Sequence, residues 1–91
     1  MTRIMACARG RVQGVGYRFF VDDCARKTGV SGFVRNMPDG SVVVVAEGST
    51  DALDRFLRMI QVQGRGRIRV DSLEVTRSEA TGEFSGFQIR A

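Results

Sequence analysis

The chain has no histidine, no tryptophan, one lysine, one proline and one tyrosine in its 91 residues. The missing histidine removes the usual general base near neutral pH and the commonest metal ligand. It also excludes Ser-His-Asp and Cys-His catalytic sets. The two cysteines, Cys7 and Cys24, are too few for a structural zinc site and are not spaced as one. They read as reduced, buried thiols. A disulfide between them stays geometrically conceivable, because Cys7 falls on a strand and Cys24 on the helix that follows. Long hydrophobic runs are also absent. The longest, Ile4–Ala8 and Val42–Ala46, have five residues each. A transmembrane helix needs roughly 20 apolar residues and a secretory signal roughly 7–15. The expectation is a cytoplasmic chain that does not enter a membrane.

What remains is ordinary globular composition, 43% hydrophobic and 26% charged. The length admits one domain over residues 1–91. Net charge is +4, and all but one of the 14 basic residues are arginine. A positive field favours anionic partners, although a solvated arginine-rich surface accounts for the total. Where particular arginines sit is more informative than their number.

Periodicity gives the order of elements. Arg3–Val12 reads as a strand of poor alternation. From Gly16 the period changes: Tyr17, Phe20, Val21, Cys24 and Ala25 fall on one face of a helix that Gly29 stops. Ser31–Asn36 is extended, Met37-Pro38-Asp39-Gly40 is a turn, and Val-rich Ser41–Glu47 is a buried strand. Ser49 or Thr50 caps a second helix carrying Leu53, Phe56, Leu57 and Ile60 on one face. Gln61–Gly66 reads as a loop and Arg67–Arg77 as a strand, with Ile68 and Val70 inward and Arg67 and Arg69 outward. A polar loop, Thr81–Gly86, precedes a short strand, Phe87–Arg90. This βαββαβ order, with a short extra C-terminal strand, predicts an α+β ferredoxin-like sandwich. Two helices pack on one face of a mostly antiparallel sheet.

The chemistry concentrates in Gly10-Arg11-Val12-Gln13-Gly14-Val15-Gly16-Tyr17-Arg18. This segment joins a strand to a helix N-terminus, where backbone N–H groups are unpaired and the macrodipole favours negative charge. Gly14 and Gly16 let the loop curl so that successive N–H groups converge on one anion. Arg18, in the first helical turn, adds a fork that holds two phosphate oxygens. Loop, helix end and Arg18 together read as a phosphate cradle, with a strand-to-helix turn that holds no ligand as the equal alternative on spacing alone. A P-loop is excluded because no lysine stands in the segment. A dinucleotide fingerprint is excluded because Phe19 occupies its third glycine position. Each residue has a plainer reading. Arg18 could be a solvated cation, Asn36 a cap for the turn before Pro38, and Tyr17 a core residue. Phe19 leaves the apolar helix face and either edges the site or packs under a loop. Arg65, Arg67 and Arg69 read as a solvated strand edge.

The string Gly-x-Val-Gln-Gly-Val-Gly-Tyr-Arg closely resembles the signature of the acylphosphatase family. Gly32-Phe33-Val34-Arg35-Asn36-Met37-Pro38-Asp39-Gly40-Ser41-Val42 resembles its second segment, and Gly86-Phe87-Gln88-Ile89-Arg90 its ending. The resemblance covers nearly the whole chain. It implies a hydrolase that splits acyl phosphates into a carboxylate and inorganic phosphate, with no metal and no organic cofactor. In that reading Arg18 binds the phosphate, Asn36 orients water, and the backbone of Gln13, Gly14, Val15, Gly16, Tyr17 and Arg18 forms the anion cradle. The family often has a Gly-Pro pair where Gly64 is here followed by Arg65. The partners implied are a small-molecule acyl phosphate and the phosphate product, with no nucleic acid and no membrane, and a monomer is expected. Two other classes stay open. One is a non-catalytic anion-binding module using the same cradle. The other is an RNA-binding domain of the same topology, which the absence of aromatics on Ser41–Glu47 disfavours.

Overall fold

The computed structural model describes the backbone of residues 1–91 and the side chains of all but residues 63–65. In chain order the elements are β1 (Thr2–Arg11), α1 (Tyr17–Thr28), β2 (Ser31–Asn36), β3 (Val42–Gly48), α2 (Thr50–Ile60), β4 (Gln63–Arg65), β5 (Ile68–Glu79) and β6 (Phe87–Arg90). The strands form one sheet in the order β4-β5-β1-β3-β2-β6. Every pairing is antiparallel except that of β2 with β6. The ferredoxin-like arrangement expected from the sequence is the arrangement found.

Local chemistry explains the elements. Ile4, Ala6 and Ala8 of β1 are buried and alternate with Met5, Cys7 and Arg9 on the other face. Against the buried side lie Tyr17, Val21, Cys24 and Ala25 of α1, with Ala52, Leu53, Phe56 and Ile60 of α2. The α2 helix begins at a conventional cap, the Ala52 N–H donating to Ser49 Oγ at 3.1 Å, with Asp51 in its first turn. Cys24 is buried in the core as expected, whereas Cys7 is only half-buried because it lies on the opposite, helix-free face of β1, so the sheet separates the two thiols. This removes the disulfide that order along the chain had left conceivable.

The limits of β2 and β6 are those expected, and those of β1, β3 and β5 differ by one or two residues, with β5 continuing to Glu79. The larger difference is in 61–66, expected as loop, which contains β4. Its residues pair with β5, Gln63 with Arg69 and Arg65 with Ile68, across a turn where Gly66 has φ +60°. Three residues are too short for a readable period; the pairing comes from β5. Arg67 and Arg69 are exposed as expected, while the Arg65 side chain lies outside the described residues.

From β5 the chain crosses the helix-free face of the sheet to reach β6 on the far side. Glu47 of β3 holds the crossing. Its carboxylate accepts from the Thr81 N–H (2.8 Å), the Gly82 N–H (3.0 Å) and Thr81 Oγ1 (3.0 Å). Those donors, led by the Thr81 N–H, keep Glu47 below the usual carboxylate range. Arg3 reaches Glu83 at 2.9 Å and lies over the Phe84 ring, which packs edge-on against Phe33. No helix among the described residues is long and apolar enough to cross a membrane.

Gly32 of β2 is paired with Ala46 on one side and Phe87 on the other, with φ +143°. A Cβ there would collide with the Val45 carbonyl oxygen. We expect Gly32→Ala to lose about 3 kcal/mol of stability by urea denaturation, from overpacking and backbone strain together. A change below about 0.5 kcal/mol, the range of ordinary surface substitutions, would show that the strands slide apart without cost.

Candidate active site

The segment between β1 and α1 is shaped by dihedral angles rather than by crowding. Gly14 and Gly16 have φ +72° and +85°. A Cβ at either would meet nothing within 4 Å. Glycine is required there for its left-handed backbone, not for want of space. Gly16 is the residue that starts α1, where no side chain supplies a cap and no acidic residue stands in the first turn. The contrast with α2 is direct. One helix has an N-terminal amide, that of Ala52, met by Ser49; the other has none met by a capping side chain and turns the positive end of its dipole to the loop.

A side chain holds this loop in place. Gln13 Nε2 donates to the carbonyls of Met37 and Ser41, each at 2.8 Å. The same two carbonyls close the β2–β3 turn, accepting from the Gly40 N–H (3.1 Å) and the Met37 N–H (2.8 Å). Inside that turn, Asp39 Oδ1 accepts from the Ser41 N–H at 3.0 Å and Ser41 Oγ at 2.6 Å, and Arg9 reaches Asp39 Oδ2 at 3.2 Å. Asp39 and Gly40 are thus turn structure. The glycine loop is thus tied to the turn that follows Asn36.

Between them lies a cavity of about 230 Å³, lined by Val12, Gly14, Gly16, Tyr17, Arg18, Phe19 and Asn36. Tyr17 turns inward: its ring is buried and its hydroxyl donates to the Ile60 carbonyl at 2.7 Å, anchoring the start of α1 to the end of α2. Burial pushes its phenol well above the usual range. Arg18 is half-buried, its guanidinium donating to the Arg90 carbonyl of β6 at 3.0 Å. Asn36 Oδ1 is buried and has no hydrogen-bond partner among the described residues. Such an atom is costly to leave unmet. The turn before Pro38 is closed by other groups, so Asn36 is not its cap.

Of the residues expected in the cradle, Gly14, Gly16, Tyr17 and Arg18 line the cavity, joined by Asn36 from another strand. Gln13 and Val15 are not among its lining residues. Gln13 is turned to the neighbouring hairpin and Val15 packs on the core. Sequence reasoning missed the Gln13 tie. Its acceptors are backbone carbonyls 24 and 28 residues away, which no residue type announces.

A family model described as acylphosphatase matches residues 4–89. The chain is 43% identical over 90 residues to an acylphosphatase of Methanospirillum hungatei, covering 99% of this chain and 98% of the relative. Against an acylphosphatase of Thermus thermophilus the identity is 46% over 89 residues, covering 98% and 99%. The structure matches the crystal structure of the acylphosphatase from Bacillus subtilis with a TM-score of 0.93 at 34% identity, over 100% of both chains.

The turn yields a pH prediction. Ser41, through its hydroxyl and its N–H, holds Asp39 down at about 2, with Arg9 assisting. A carboxylate depressed in the folded state stabilises it above the ordinary carboxyl value and loses that contribution as pH falls through the folded one. We therefore expect the stability difference between the wild type and Asp39→Asn to shrink from about pH 4 to about pH 2, measured as urea midpoints. A constant difference across that window would place the titration elsewhere.

Proposed function

The chain belongs to the acylphosphatase family, and from that premise we propose how its cavity performs the hydrolysis. The reaction splits the carboxyl–phosphate bond of an acyl phosphate, giving a carboxylate and inorganic phosphate. In our reading the backbone N–H groups of Gln13 through Arg18 and the Arg18 guanidinium hold the phosphoryl oxygens. Asn36 positions the water. The whole chain, residues 1–91, serves as one domain around this site. It acts in the cytoplasm as a monomer whose partners are the small acyl phosphate and the phosphate released, without nucleic acid or membrane.

The observation that carries this reading is the unmet Asn36 Oδ1 in the same cavity as Arg18. An acceptor there takes a hydrogen from water and leaves the water's lone pair facing phosphorus. The new P–O bond forms as the bond to the acyl oxygen breaks, and the electron pair leaves on the carboxylate. The attacking water's proton passes to a phosphoryl oxygen. A carboxyl group has a pKa near 4, so the leaving group departs unprotonated and no general acid is needed. That is why a chain without histidine suffices. No metal and no organic cofactor enter this scheme. Positioning and charge stabilisation dominate phosphoryl transfer, and this site offers donors fixed before substrate arrives. Arg18 gives up only its bond to the Arg90 carbonyl.

The test is benzoyl phosphate hydrolysis with chelator present. By comparison with the loss of one oxyanion-hole donor, Arg18→Ala and Asn36→Ala should each lower kcat/KM by about 10²–10³-fold. Both variants should keep wild-type thermal unfolding, since neither side chain supports the core. Turnover surviving both substitutions would overturn the assignment of the site. An inert wild type still protected by phosphate against unfolding would make it a binding module.

A further inference from the structure

Phe19 is not explained by packing. The inward residues of α1 are Tyr17, Val21, Cys24, Ala25 and Thr28. Phe19 lies two positions after Tyr17, on a different side of the helix. It is 68% exposed, the one aromatic ring among the large exposed hydrophobics of the described residues. Yet it lines the cavity that holds Arg18 and Asn36.

The direction of the reaction says what lies beside it. In phosphoryl transfer the attacking and leaving oxygens stand roughly in line, on opposite sides of phosphorus. The water site is the buried one, at Asn36 Oδ1. The acyl group then leaves toward solvent, at the outer end of the cavity. Among the lining residues the two glycines offer no side chain, Val12 and Tyr17 are buried, and the exposed side chain is Phe19.

We infer that Phe19 is the outer wall on which the acyl group lies, so that the enzyme favours acyl phosphates with aromatic or bulky apolar acyl groups over small ones such as acetyl phosphate. The inference rests on the proposed site. Nothing grips the acyl group by hydrogen bonds; discrimination comes from apolar contact, which sets a modest scale. An aromatic pair contributes enough, together with the area it covers, for about a five- to tenfold preference.

The experiment compares kcat/KM for benzoyl and acetyl phosphate in the wild type, Phe19→Ala, Phe19→Ser and Phe19→Leu, with Arg18→Ala alongside. We expect Phe19→Ala and Phe19→Ser to lower the benzoyl-to-acetyl ratio about five- to tenfold, mostly through KM for benzoyl phosphate. Phe19→Leu should restore part of the ratio, and competitive inhibition by inorganic phosphate should be unaltered in all three. Because the ring is exposed, the variants should unfold like the wild type. A ratio unchanged in Phe19→Ala, while Arg18→Ala has lost turnover, overturns the acyl wall and leaves the phosphate site standing. Full turnover in Arg18→Ala overturns the site itself and the wall with it.

Discussion

The amide of Gln13 ties together the two halves of the cavity. Its two hydrogens go to the Met37 and Ser41 carbonyls, the pair that already closes the β2–β3 turn. Arg18 stands five residues after Gln13 and Asn36 immediately before Met37. The proposed placing of a phosphate and a water in line tolerates little error. A single side chain therefore couples the loop that presents donors to the strand end that presents an acceptor. The oxygens it meets are carbonyls with two lone pairs, so the tie takes nothing from the hairpin it joins.

The two helices divide stability and function between them. In α2 a serine caps the first turn, an aspartate complements the dipole and Arg58 stands in the last turn. In α1 a left-handed glycine starts the helix, no side chain caps it and an arginine occupies the first turn. That arrangement forgoes a cap, a contribution of about 1 kcal/mol, and sets a cation against the dipole. Local rules are broken where a ligand is expected to satisfy them. The buried Tyr17 ring, bonded to the end of α2, holds this poorly capped helix start in place.

The helix-free face connects to the site at a distance. Glu47 clamps the crossing at Thr81 and Gly82, and the crossing delivers β6 alongside β2. The last strand carries the Arg90 carbonyl that meets Arg18, while the Arg90 side chain stacks over Phe33 at 4.2 Å. Arg18 is thus held by the last strand of the chain, far from it in sequence and next to it in the fold.

The sequence alone determined most of the framework. Helix periods, the Pro38–Gly40 turn and the Val-rich strand are local matters, and local patterns placed them within a residue or two. The two motifs singled out Arg18 and Asn36 as residue types, and glycines where a left-handed backbone is needed. Tertiary structure decided what depends on partners distant in the chain. It produced the short strand β4, which exists only because β5 pairs with it, and the placement of Cys7 and Cys24 on opposite faces of a sheet. It also set the Gln13 tie, the Glu47 clamp, the unmet oxygen of Asn36 and the exposure of Phe19 at the cavity. Hydrogen bonds to backbone carbonyls leave no mark on the residue that accepts them, and burial belongs to the whole fold.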